Sequence, residues 1–257
     1  MSEAENPYKD DGIRELLKNY RPSQLDEAVK TVCPFYEPRD REFTSVYLEF
    51  HELSKTSILT GLQLRLEELQ VVSEEELGSG RVDGSVYRPA VNGGKIMLYG
   101  GEQPVAHVAL LEVKTGKNVK ILQSAAYAYT SKVPVILAEV PVAEVHLVDC
   151  ETSVRLLNWA RRQLDRLKKL RAMDRRIPDG YRCRSCANDS CPYWQDDGRR
   201  KSAFLLKERV EQLDGKLAEI VEGMVSVVEG LIERQGFFVE GLQAHTLDEH
   251  HAKTGRR

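Results

Sequence analysis

VAHVALLEVKTGKNVKILQSAAYAY, residues 105–129, is the stretch on which the reading of the whole chain turns. Its first ten residues form a mostly apolar run, which reads as a central strand covered on both faces. A helical stretch follows from about Lys117 to Ser131. Residues two apart on a strand share a face, so Glu112 and Lys114 project together. Gln123 and Tyr127, four apart, share a face near the start of the helix.

Upstream, SGRVDGSV sets Asp83 among glycines and apolar neighbours, an awkward place for a charge without a partner. Asn92-Gly93-Gly94 between two apolar segments signals a hairpin turn, because a tight turn of that hand needs positive φ. Residues 40–62 read as a helix, with Val46, Phe50, Leu53 and Leu62 on one stripe and His51 among them. Downstream, VILAEV and EVHLVD are short strands, and a long helix spans Glu151 to Met173 before a Pro178-Asp179-Gly180 turn. A hairpin followed by strand, helix and strand predicts an α/β sheet flanked by helices.

The composition is 41% hydrophobic, 30% charged and 7% aromatic over 257 residues, enough for one good-sized core and an appendage. No apolar run reaches the length of a membrane span, and the polar, acidic start lacks the pattern of a secretory signal, so a cytoplasmic protein is expected. The formal charge is only -3, yet ten basic residues stand against three acidic ones between Arg161 and Arg184. Arg161, Arg162, Arg166, Lys168 and Lys169 are the candidate contacts to a polyanion, with Tyr181, Tyr193 and Trp194 placed to stack on bases or to shield the neighbouring cysteines. Leu206, Val210, Leu213, Leu217, Ile220, Met224, Val227 and Leu231 alternate spacings of four and three. That seam suits a coiled coil making a homodimer or higher oligomer, and equally an amphipathic helix lying on its own domain, because Val221 and Val228 widen the stripe.

Two groups of residues carry chemistry. Asp83, Glu112 and Lys114 are what phosphodiester hydrolysis uses: two carboxylates hold a hard divalent cation and a lysine neutralises developing charge. The backbone carbonyl of Val113 is a further oxygen donor. Cys183, Cys186 and Cys191 are spaced closely enough to meet at one metal centre, Cys33 supplies a fourth thiolate, and Cys150 reads as a buried bystander. Zinc and an iron-sulfur cluster both accept such a set.

His51, Asp83, Glu112-Val113-Lys114 and Gln123-Ser124-Ala125-Ala126-Tyr127, in that order, resemble the RecB-like branch of the PD-(D/E)xK nucleases. One cysteine before these motifs and three after them resembles the iron-sulfur members, which include the CRISPR-associated exonucleases of the fourth Cas family. The resemblance covers roughly residues 25–197. It implies a restriction-endonuclease-like fold, Mn2+ or Mg2+ held by His51, Asp83, Glu112 and Val113, a catalytic Lys114, and Gln123 and Tyr127 orienting the site. It also implies a [4Fe-4S] cluster on Cys33, Cys183, Cys186 and Cys191, with [2Fe-2S] or Zn2+ as alternatives. The expected function is a DNA exonuclease trimming single-stranded ends in CRISPR adaptation, beside the integrase complex. A viral or repair nuclease and a zinc-stapled DNA-binding protein are the other readings. The expected division is a nuclease unit over 1–198 and a helical extension over 199–257.

Overall fold

The computed structural model describes residues 12–37, 45–77, 80–98, 101–116, 119–179, 182–183, 186–194 and 213–254, with side chains over these ranges except at 45–46, 91–103 and 235–254. Two short helices come first, α1 (Ile13–Asn19) and α2 (Pro22–Lys30), then α3 (Ser45–Arg65). Neither α1 nor α2 is anticipated above. The signal for α2 is present, since Pro22 occupies the first helical turn, where its missing N–H costs nothing.

The sheet follows: β1 (Gln70–Leu77), β2 (Gly80–Leu98), β3 (Gly101–Lys114), then α4 (Ile121–Ser131), β4 (Val135–Glu139) and β5 (Glu144–Val148). Its spatial order is β1-β2-β3-β4-β5, and only the β3–β4 pair is parallel. The long helix α5 (Cys150–Ala172) and α6 (Leu213–Thr254) complete the described elements. The α/β expectation holds in this form: a mixed five-stranded sheet flanked by helices.

The two faces of β3 are covered by different helices. Leu110 packs in a cluster with Leu25 of α2, Leu122 and Ala125 of α4 and Leu157 of α5. Leu111 and Val113 pack in another with Ile58 and Leu62 of α3 and Ile220 and Met224 of α6. Alternation along the strand therefore puts Glu112 and Lys114 on the α4 face.

The hairpin turn is not at Asn92-Gly93. The chain reverses between Leu98 and Gly101, and residues 90–93 fall at an irregularity where Pro89 and Gly94 both face Val105. Pro89 has no N–H for the ladder, and the extra residues are accommodated there as a bulge.

The heptad seam, as far as it is described, is used within the chain. Leu217, Ile220, Met224, Val228 and Leu231 are buried in the cluster shared with α3, Val221 is buried against Gly61 of that helix, and Val227 is only partly covered. Burial of Val221 and Val228 is what an amphipathic helix on its own domain requires. A side chain at Gly61 of α3 would stand 2.9 Å from Val221 Cγ2, so the absent Cβ permits this close approach. Leu206 and Val210 lie outside the described residues. Among the described residues no helix is long and apolar enough to cross a membrane.

Candidate active site and thiol pocket

Gly84 of β2 pairs with Leu111 of β3, which sets Asp83 beside Glu112 across the strands. Asp83 Oδ2 accepts the Val113 backbone N–H at 2.7 Å, and Oδ1 lies 3.7 Å from His51 Nε2. The other imidazole nitrogen, Nδ1, is 3.1 Å from Thr115 Oγ1. Nε2 is the ring nitrogen that faces the Asp83 carboxylate, and an N–H there is attracted to it. Burial pushes the Asp83 carboxyl upward, but His51, the Val113 N–H and Lys114 together hold it below the usual carboxylate range.

Glu112 is 3% exposed. Lys114 Nζ and Gln123 Nε2 both donate to its Oε1, the latter at 3.1 Å. Its second oxygen, Oε2, is buried without a hydrogen-bond partner. Burial raises its carboxyl to about 7; Lys114 opposes that rise and Asp83 adds to it. Gln123 Nε2 also meets Tyr127 OH at 3.2 Å, and Tyr127 OH donates to the Arg81 carbonyl at 3.4 Å. A Cβ at Gly80 would fall 2.5 Å from that hydroxyl, so a side chain there would drive Tyr127 off its partners.

His51, Asp83, Glu112, Lys114, Gln123 and Tyr127 thus form one connected group. At Val113 it is the amide N–H that touches the Asp83 carboxylate. Three neighbours were not singled out from sequence. Lys120 at the start of α4 has its ammonium pushed down by burial and then by Lys114. Asp26 of α2 accepts the N–H groups of Leu122 and Gln123 at 3.2 and 3.0 Å. Tyr47 OH lies 3.4 Å from Thr115 Oγ1. Asp26 and Lys120 gave no periodic signal, because their partners are brought to them only by the fold.

Cys33, Cys183, Cys186 and Cys191 line one cavity of about 20 Å3, with Asp179, Asn188 and Trp194 also in its wall. Asp179 donates its backbone N–H to Cys183 Sγ at 3.3 Å, and Glu37 donates to Cys186 Sγ at 3.5 Å. The Cys191 thiol is pulled down, first by the backbone N–H of Tyr193 and further by Arg176. Trp194 Nε1 donates to the Cys186 carbonyl at 3.1 Å, which fits the shielding role for this ring. Tyr181 and Arg184 lie outside the described residues. Cys150 lies elsewhere, its Sγ 3.8 Å from the Ala128 carbonyl, with the thiol pushed up by burial.

Among the described residues no three His, Cys, Asp or Glu side chains stand closed as a ligand set for a metal ion. At the carboxylates, Glu112 Oε1 is turned to Lys114 and Gln123. The basic residues of α5 divide between faces. Arg161 and Lys168 line a cavity against α1, and Lys168 and Arg171 line a second, of about 470 Å3, with Tyr20, Cys33 and Tyr36. Arg162, Arg166 and Lys169 are exposed and line neither.

No protein-family model matches this chain, and no curated protein or solved structure matches it.

Proposed function

We propose that the chain is a divalent-metal-dependent DNA exonuclease of the RecB-like PD-(D/E)xK kind, acting on single-stranded ends or overhangs. The observation that carries this reading is the orphaned Glu112 Oε2, buried beside Asp83 while Lys114 and Gln123 hold the other oxygen, Oε1. A buried carboxylate oxygen without a donor, next to a second carboxylate, is what a hard cation would satisfy. The topology supports the same reading: an antiparallel meander, a helix and a parallel strand, with the first acid on β2 and Glu-x-Lys at the end of β3.

Asp83, Glu112 and His51 would hold Mn2+ or Mg2+, whose chemistry when bound is to acidify water and to stabilise charge on phosphodiester oxygens. Gln123 keeps one oxygen of Glu112 turned inward, leaving Oε2 as the free donor. Lys114 brings positive charge to the point where the phosphorane oxygens become more negative. Thr115 holds the imidazole of His51 in one orientation. Tyr127 ties Gln123 to β2 through the Arg81 carbonyl, which fixes α4 relative to both acid-bearing strands.

By the same resemblance Cys33, Cys183, Cys186 and Cys191 would hold an iron-sulfur cluster, with zinc as the alternative that four thiolates also accept. Zinc draws thiolates to about 2.3 Å of a single ion, whereas a four-iron cluster takes one thiolate on each iron. The biological setting that goes with this reading is CRISPR adaptation, where DNA ends are trimmed for the integrase complex.

The test is an end-labelled single-stranded oligonucleotide incubated with protein and Mn2+. The wild type shortens it from the ends, and Asp83→Ala, Glu112→Ala and Lys114→Ala do not while remaining folded. Cleavage retained in Glu112→Ala would overturn the assignment. Anaerobic purification giving a colourless, zinc-loaded protein would overturn the cluster.

A further inference from the structure

Helix α4 begins without a cap of its own. Its N-cap residue, Lys120, makes no side-chain hydrogen bond to the helix, although the first-turn N–H groups have no partners within the helix. The acceptor comes from far back in the chain. Asp26, on α2 and only 2% exposed, takes the Leu122 N–H on one carboxylate oxygen and the Gln123 N–H on the other. Lys30, on the same helix, adds a second tie by donating to the Val119 carbonyl at 3.1 Å.

The other side of α2 is bound to the thiol pocket. Glu27, next to Asp26, pairs with Arg182 of the cysteine loop at 3.0 Å. The chain leaves α2 through Thr31, whose hydroxyl both accepts from the Cys33 N–H at 3.1 Å and donates to the Cys33 carbonyl at 3.2 Å. Beyond Cys33 the strip is fastened to the cysteine loop by the Ala187 N–H on the Glu37 carbonyl at 2.8 Å and by the Glu37 N–H on Cys186 Sγ. A single nine-residue helix is therefore clasped by the thiol pocket on one side and by the start of α4 on the other. From there Gln123 reaches Glu112 directly.

We infer that α2 is a strut through which the state of the thiol pocket sets the position of Gln123 and hence of Glu112, with Asp26 as the positioning residue. The inference rests on the nuclease reading only in treating Glu112 as catalytic; the mechanical link stands on contacts alone. A cap that served stability only would need no connection to Arg182, whereas a strut predicts that disturbing the cysteine side is felt at α4.

The test is hydrogen exchange at the Leu122 and Gln123 amides, read by NMR on the full chain as purified, for the wild type, Asp26→Asn, Arg182→Ala and the double variant. Asp26→Asn should speed exchange roughly tenfold. Arg182→Ala should speed it several-fold although it touches neither amide, and should add nothing in the Asp26→Asn background. Exchange unchanged by Arg182→Ala, or effects that simply add, would overturn the strut and leave a local cap. Should Asp26→Asn fail to fold, Lys30→Ala, an exposed tie, takes its place with the same expected masking. In cleavage assays Asp26→Asn should lower kcat with KM unchanged, and Asp26→Glu should restore part of it. A fall through KM alone would overturn the positioning role. If no variant cleaves, the wild type included, the nuclease reading fails while the exchange comparison still decides the strut.

Discussion

Asp83 and Glu112 stand on neighbouring strands whose surroundings are closed by the fold itself: Leu110, Leu111 and Val113 are wholly buried on the two faces of β3. Among the described residues the four cysteines stand on two stretches without strand ladders, 31–37 and the described parts of the cysteine loop (182–183 and 186–194), held by N–H···S contacts and by cations over rings. Arg171 and Arg176 lie over Phe35 at 5.4 and 4.6 Å, and Arg182 lies over Tyr36 at 5.2 Å. The sheet makes the carboxylate site as a by-product of packing. The thiol pocket draws much less on apolar burial, so on the proposed cluster reading the group held by the thiols would contribute to its stability. The two candidate sites thus have different sources of order, and the contrast can be tested from either side.

The largest expected effect is on the sheet side. Glu112→Gln keeps the shape and the Gln123 contact but removes the charge, and should lower cleavage by about a thousandfold with the circular dichroism of the sheet unchanged. A variant that cleaves within tenfold of wild type would remove the carboxylate site from the chemistry. Next in size is Cys186→Ser on the other side. Cys186 is buried and accepts from Glu37, so its loss should cost the pocket several kcal/mol of local stability. Limited proteolysis should then cut within residues 31–37 and 182–194 while β1–β5 stay protected. Cuts spread equally over the sheet would break the comparison.

A third effect separates the two regions by pH. The Glu112 carboxyl is raised to about 7, so between roughly pH 4.5 and 7 the folded chain keeps a proton that the unfolded chain has lost. Its contribution to stability is full below that window and declines as pH rises through about 7, by on the order of 3 kcal/mol. Asp83 runs the opposite way: held low, it stabilises at neutral pH and loses that contribution as pH falls through its folded value. His107, stacked on Tyr87 at 4.3 Å and pushed down by burial, also loses stability toward acid. Urea unfolding of wild type and Glu112→Gln with EDTA, compared at pH 5 and pH 8, isolates Glu112. The variant should be the more stable at pH 8, with the difference shrinking toward pH 5. Equal stabilities at pH 8 would contradict the rise that burial imposes on the Glu112 carboxyl.

How far the sequence reveals these two regions follows from the distances along the chain that each requires. Glu112 with Lys114, and Gln123 with Tyr127, are legible because strand and helix periods alone bring them together. The meeting of Cys33 with the later thiols is legible from their number and spacing, although its geometry is not. Asp26 is illegible, since an acidic residue in a polar helix looks like a solvated one until the Leu122 and Gln123 amides are seen 3.2 and 3.0 Å away. The place of the hairpin is missed because Asn92-Gly93 carries a turn signal that the Pro89 irregularity converts into a bulge. Periodicity also leaves the α6 seam open between two partners, and only the packing of Val221 and Val228 on the chain itself decides it over the described part.

The smallest effect concerns which side of the comparison touches the substrate. On α5 the helical period sends Lys168 toward the cavity that contains Cys33, Tyr20 and Tyr36, and sends Arg166 to solvent. A concave wall with a cation and two phenol rings can engage phosphate and base at once, while an outward arginine holds only phosphate. On the nuclease reading, Lys168→Ala should weaken a single-stranded oligonucleotide a few-fold and reduce the dependence of log K on log salt by about 0.7, the value of one single-strand phosphate contact. Arg166→Ala should change the slope by less than half as much. Fluorescence anisotropy over a salt series without divalent metal measures both without cleavage. The reverse ranking would put the strand on the outer face of α5, away from the thiol pocket, whose part would then be confined to bracing α2.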